Sequence, residues 1–142
     1  MKEINFIYNS KSTKDTKTLA KKFAADLKPG SWLGLTGDLG AGKTTFVQGL
    51  SEGLGIKDFV QSPTFVLTKE YQGDIRLVHI DLYRLSECDV SSLGLEDYCY
   101  GGEIVAVEWA EKLPESFKND MIWLDFKVKD GNLRSIKITR RR

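Results

Sequence analysis

Eight consecutive residues, Gly37-Asp38-Leu39-Gly40-Ala41-Gly42-Lys43-Thr44, fit the pattern G-x-x-x-x-G-K-[ST]. The chemistry behind that spacing is anion binding. Glycine conformations expose backbone N–H groups that converge on phosphate oxygens, and the N-terminus of a following helix adds a favourable dipole. Gly37, Gly40 and Gly42 permit the close approach, with Asp38, Leu39 and Ala41 completing the loop. Lys43 is then placed to bridge β- and γ-phosphate oxygens, and the Thr44 hydroxyl to enter the shell of Mg2+, which prefers oxygen ligands in octahedral geometry. Thr45 is the candidate for an α-phosphate contact. The bland alternative is a glycine-rich turn with Lys43 as a surface charge. Context opposes it, because the apolar run Trp32–Thr36 precedes the loop and a helical pattern follows.

Holding a triphosphate is not hydrolysing it; hydrolysis also needs the metal fixed and a water aligned with the γ-phosphate. Two acidic residues end apolar runs: Asp81 after Leu77-Val78-His79-Ile80, and Glu108 after Ile104-Val105-Ala106-Val107. Both suit the crevice outside the carboxyl ends of a parallel sheet, and for each the competing reading is a cap on the following turn. Trp109, next to Glu108, reads either as a cover for the nucleotide or as core packing. His79 shares a strand side with Asp81 and reads as a packed strand histidine or as a general base. Ser62-Pro63-Thr64 reads as a segment sensing the γ-phosphate or as an ordinary proline turn. The guanine-reading order Asn-Lys-x-Asp is absent, the nearest run being Lys118-Asn119-Asp120, which favours ATP over GTP.

The elements that must position these groups follow from periodicity. Ile4, Phe6 and Tyr8 alternate as in a half-buried strand, and Leu19, Phe23, Ala24 and Leu27 recur at helical spacing, which predicts a helix from Thr13 to Leu27 with a capping-box spacing at Ser12 and Asp15. Pro29-Gly30 ends it, Trp32–Thr36 reads as a buried strand, and a second helix runs from Lys43 to Gly53. Phe59 to Tyr71 reads as a loop and then a strand carrying the alternating Phe65, Leu67 and Lys69; Arg76–Asp81 and Ile104–Glu108 read as strands, and Ser86–Tyr100 as short helix. Ile122–Lys129 and Leu133–Thr139 flank Asp130-Gly131-Asn132, a hairpin signal. Together they predict an α/β fold, a single-domain P-loop NTPase-like three-layer sandwich with a mixed, mainly parallel sheet and a C-terminal β-hairpin, over residues 1–142.

Composition narrows the function classes. With 41% hydrophobic and 29% charged residues the chain reads as a soluble globular protein. A net charge of +1 builds no one-signed field for gathering nucleic acid, so any RNA contact is local or made through a partner. The basic run Arg140-Arg141-Arg142 reads as a solvated tail or a phosphate-contacting arm. Cys88 and Cys99 lack CxxC spacing and, with a single histidine, supply no zinc set; they read as reduced thiols of a cytoplasmic protein. No signal-peptide pattern and no long apolar run are present, which predicts neither secretion nor membrane spanning.

Taken together, Gly37-Asp38-Leu39-Gly40-Ala41-Gly42-Lys43-Thr44-Thr45, Ser62-Pro63-Thr64-Phe65, His79-Ile80-Asp81-Leu82-Tyr83-Arg84-Leu85 and Val107-Glu108-Trp109 closely resemble the TsaE family, over nearly the whole chain. That family comprises small bacterial ATPases required to make threonylcarbamoyladenosine next to the anticodon in tRNA. The resemblance implies that Lys43 holds the phosphates, that Thr44 and Glu108 hold Mg2+, and that Asp81 acts through water or on the attacking nucleophile. It implies a first switch at Ser62-Pro63-Thr64 and a tryptophan, Trp109, beside the metal-binding glutamate. Thr13 and Arg134 match positions near the nucleotide more loosely. The implied partners are TsaD and TsaB, with TsaC supplying threonylcarbamoyl-adenylate and tRNA met only through the complex.

Two other readings stand beside a partner-dependent ATPase. A small-molecule kinase needs arginines from a mobile lid, and between the loop and the hairpin the chain offers Arg76 and Arg84. A module switched by bound nucleotide without hydrolysis is opposed by the two acidic strand ends.

Overall fold

The computed structural model describes residues 4–63, 67–99 and 101–140. Thr64 of the expected switch and Phe65 of the expected strand alternation lie outside the described residues, as do Tyr100, Arg141 and Arg142.

The strands β1 (Ile4–Ser10), β2 (Trp32–Thr36), β3 (Thr68–Tyr71), β4 (Leu77–Asp81), β5 (Ile104–Glu108), β6 (Ile122–Asp130) and β7 (Leu133–Arg140) form one sheet in the order β1-β7-β6-β2-β5-β4-β3. β6, β2, β5 and β4 run parallel at its centre, while β7, β1 and β3 pair antiparallel on the flanks. Every residue of β4 and β5 is buried, as their unbroken apolar runs require of strands covered on both faces.

Helices α1 (Thr13–Ala25) and α2 (Lys43–Gly53) cover one face, where Phe46 and Leu50 meet Leu33, Leu35 and Phe126. The two helices touch at Gly49, where an added Cβ would lie 2.5 Å from the Lys17 carbonyl oxygen and 2.9 Å from Ala20 Cβ. The opposite face carries short pieces: α3 (Glu87–Ser91), a 3-10 turn at Leu95–Cys99, another at Ala110–Lys112 and α4 (Glu115–Lys118). Val90, Leu95, Ala110 and Leu113 close a second core there over Val78, Ile80, Val105 and Val107. The result is the three-layer α/β sandwich that the periodicity predicts.

Differences from the expected elements have local causes. α1 stops at Ala25, with the Asp26 N–H bonded back to Phe23, so Leu27 packs from the turn. Ser12 caps α1 by accepting the Asp15 N–H at 3.0 Å, but the Asp15 carboxylate accepts from Lys11 rather than closing a box on Ser12. β3 starts only at Thr68, because Leu67 takes φ +68°, outside any strand. Among the described residues no helix is long and apolar enough to cross a membrane.

Candidate nucleotide-binding site

The glycine loop leaves the C-terminal end of β2 and enters α2, so its position is set by a strand with a buried centre and a helix with one buried face. Gly37, Gly40 and Gly42 all take positive φ, the conformations that turn successive N–H groups inward. Gly37 is also sterically pinned: a Cβ there would lie 2.4 Å from the Phe126 carbonyl oxygen of β6. Lys43, the first residue of α2, is 4% exposed and folds its ammonium back onto the carbonyls of Gly37 and Asp38, the latter at 3.0 Å. The Trp109 ring lies 4.3 Å from the same Nζ. Burial lowers the Lys43 pKa from its ordinary value, against the opposing pull of Glu108, Glu111, Asp81 and Asp38.

Asp81 and Glu108 are register partners at the ends of β4 and β5, so the sheet itself places the two carboxylates side by side. Glu108 Oε2 accepts the Thr44 hydroxyl at 2.8 Å and lies 2.6 Å from His79 Nε2. His79 Nδ1 is buried and has no partner among the described residues. The 2.6 Å contact is a hydrogen bond between the His79 ring and the Glu108 carboxylate, with Nε2 as the donor. Asp81 does cap its turn, Oδ1 accepting the Tyr83 N–H at 2.9 Å, while Oδ2 takes the Ser62 hydroxyl at 3.3 Å. One oxygen of that carboxylate thus caps the turn, while the other meets Ser62 at the edge of the cavity described next. Ser62 is brought there by α2, whose Gln48 amide donates to the Val60 carbonyl at 2.9 Å.

A cavity of about 200 Å3 opens among the loop from Leu39 to Thr45, Ser62, Asp81 and Glu108. The oxygens of Thr44, Glu108 and Asp81 are the hard donors that Mg2+ selects, and the Thr44–Glu108 contact brings two of them within 2.8 Å, so the set fits that ion. On the other side of the loop a smaller cavity is lined by Thr13, Gly40, Thr45, Asn132 and Arg134. Thr13 and Arg134, far apart in sequence, thus meet beside the loop because the β6–β7 hairpin brings Arg134 within 3.5 Å of the Gly40 carbonyl. Pro63 is buried next to Ser62.

Three contacts were not legible beforehand. Alternation puts His79 on the strand side of Asp81 but names no partner for it; the partner is Glu108, reached across the β4–β5 pairing that a single sequence does not display. Trp109 both packs on the second core and covers Lys43, because φ +60° turns its ring back over the loop. Lys112 and Tyr83 close around that ring, and their only signal is proximity in sequence to Glu108 and Asp81.

Comparison with known proteins supplies the family. The family model for threonylcarbamoyl adenosine biosynthesis protein TsaE matches residues 10–136. The tRNA threonylcarbamoyladenosine biosynthesis protein TsaE of Bacillus subtilis is 44% identical over 126 residues, covering 88% of this chain and 79% of its own length. The Aquifex aeolicus protein of the same name is 41% identical over 133 residues, covering 92% of each. The crystal structure of Bacillus subtilis YdiB superposes with a TM-score of 0.81 at 37% identity, covering 99% of this chain and 88% of that one. The glycine loop, the acidic strand ends and these matches lead to one assignment: the chain belongs to the TsaE family of tRNA threonylcarbamoyladenosine biosynthesis proteins.

Proposed function

We propose that this chain is a Mg2+-dependent ATPase that acts in the cytoplasm with TsaD and TsaB, driving their formation of the threonylcarbamoyl group on adenosine next to the anticodon without itself transferring the group. The observation that carries the reading is the convergence of Lys43, the Thr44–Glu108 pair and Asp81 on one cavity at the end of the sheet. In that reading the loop N–H groups bind the β- and γ-phosphates. Lys43 exchanges its Gly37 and Asp38 carbonyls for phosphate oxygens and neutralises charge as it builds on the leaving group. Thr44 and Glu108 would hold Mg2+, which when bound polarises the phosphate oxygens. Asp81 orients the water that attacks the γ-phosphorus, giving ADP and phosphate. Ser62, hydrogen-bonded to Asp81, links that step to the segment Ser62-Pro63-Thr64. Thr13, Thr45 and Arg134 contact the rest of the nucleotide, and Trp109 covers it.

A kinase reading loses support because Arg76 is engaged by Glu70 and by Glu103, the latter at 3.5 Å, at the opposite end of β4 from Asp81. Turnover is slow until a partner covers the site. The test is ATP hydrolysis by the chain alone and with TsaD and TsaB. Stimulation by the pair, abolished in Lys43→Ala, is expected; equal rates in all four mixtures would remove the reading.

A further inference from the structure

The loop that follows Asp81 is fastened by the ammonium of Lys112. Lys112 Nζ donates to the carbonyl oxygens of Leu82, Tyr83 and Leu85 at 3.1, 2.7 and 2.8 Å. An ammonium has three protons, so these three bonds exhaust it and leave none for a ligand. The Lys112 N–H also donates to the Trp109 carbonyl at 3.1 Å, and the Leu82 N–H to the Glu108 carbonyl at 3.2 Å. The Tyr83 and Trp109 rings lie 5.0 Å apart, and Lys112 Nζ lies 5.9 Å from each. Those contacts join the loop after one acidic strand end to the turn after the other. The turn holds Trp109 in a left-handed conformation that an aromatic residue adopts only at a cost, so something outside the residue must keep it there.

We propose that Lys112 is a positioning residue of the nucleotide site: its ammonium locks the Leu82–Leu85 loop to the Trp109 turn and thereby sets both the Asp81 carboxylate and the indole over Lys43. The inference rests on the nucleotide reading above. It adds a residue that touches neither the phosphate loop nor the Thr44–Glu108 pair, so its loss separates turnover from binding. A displacement of about an ångström in a positioning group costs on the order of a hundredfold in rate. Partner-stimulated turnover in Lys112→Met therefore falls about tenfold or more, while the ATP dissociation constant, set mainly by the loop N–H groups and only in part by the Trp109 cover, rises by a smaller factor.

The deciding measurement is the emission of Trp109 in the full chain carrying Trp32→Phe and Trp123→Phe. Lys112→Met is expected to shift that emission and to alter its response to ATP. Lys112→Ala should recover the parent signal on addition of butylammonium, which restores a cation to the carbonyl triad, but not with butanol. Parent-like emission in a folded Lys112→Met chain, or no recovery with butylammonium, overturns the proposal. Should the Lys112 variants fail to fold, Tyr83→Ala decides: Tyr83 is 41% exposed, and its removal should shift Trp109 emission in the same direction. No shift there also overturns it. If the unaltered chain hydrolyses no ATP with TsaD and TsaB, the function reading fails while emission and rescue still judge the clamp.

Discussion

Replacing His79 by leucine tests how the buried carboxylate of Glu108 is held. His79 is fully buried and Glu108 is 3% exposed, and Oε2 of Glu108 has His79 at 2.6 Å and Thr44 at 2.8 Å. A hydrogen bond to a charged group contributes about 1.5–3 kcal/mol, and leaving a buried charge short of a partner raises the cost. His79→Leu is therefore expected to lower unfolding free energy by about 3 kcal/mol. In Glu108→Gln the acceptor is a neutral amide, whose bond to His79 contributes about 1 kcal/mol. The second substitution then costs about 1 kcal/mol in that background, which makes the coupling about 2 kcal/mol. Urea unfolding of the four chains at neutral pH gives each value, with equal slopes confirming comparable unfolded states. Additivity within about 0.5 kcal/mol would refute the claim that His79 holds Glu108.

Gly37→Ala puts a methyl 2.4 Å from the Phe126 carbonyl at φ +135°, so calorimetry should find ATP binding lost, and retained affinity would show that the loop tolerates displacement from β6. Burial lowers the Lys43 pKa below its ordinary value of 10.5. Between the folded value and 10.5 the unfolded chain binds more protons, so this group makes stability rise with pH across that window and adds nothing to the slope below it. Urea midpoints measured from pH 8 upward should therefore rise in the wild type relative to Lys43→Met, and a difference independent of pH would contradict the shift. Phe46 is fully buried between Phe23 and Phe126, with ring centroids 5.8 and 5.7 Å away, and Phe46→Ala should cost about 3–5 kcal/mol by denaturant unfolding; less than about 1 kcal/mol would mean that the core repacks.

Helix α2 and strands β2 and β5 were legible from end to end because each has a uniform environment: one apolar stripe for the helix, two covered faces for the strands. Lys43, Thr44, Asp81 and Glu108 were legible as candidates because chemistry restricts the residue types that can stand at a strand end or a helix start. What was hidden depends on who neighbours whom. The pairing of β2 with β6, and of β1 with β7, places the hairpin beside the phosphate loop, and no local pattern encodes that order. The three-carbonyl grip of Lys112 was invisible for the same reason, since its acceptors are backbone oxygens that every residue owns. The region read as one short helix from Ser86 resolves into α3 and a separate 3-10 turn, divided at Gly94, whose φ of +69° breaks the helical path.

The antiparallel pairing of Ile4 with Arg140 has a practical side. Cross-strand partners of that kind lie about 5 Å apart at their Cα atoms. Arg140 also pairs with Ile122, where β6 begins, at the opposite end of the sheet from the loop that follows β2. A short flexible linker between these two strand ends would make a circular permutant, and the hairpin turn at Gly131, exposed and beside the phosphate loop, is the informative place to reopen it. Cut there, β6 and β7 would no longer be consecutive, and Arg134 would approach Gly40 from a chain terminus. Such a permutant would separate the hairpin's contribution to nucleotide affinity from its contribution to the sheet without changing a single side chain.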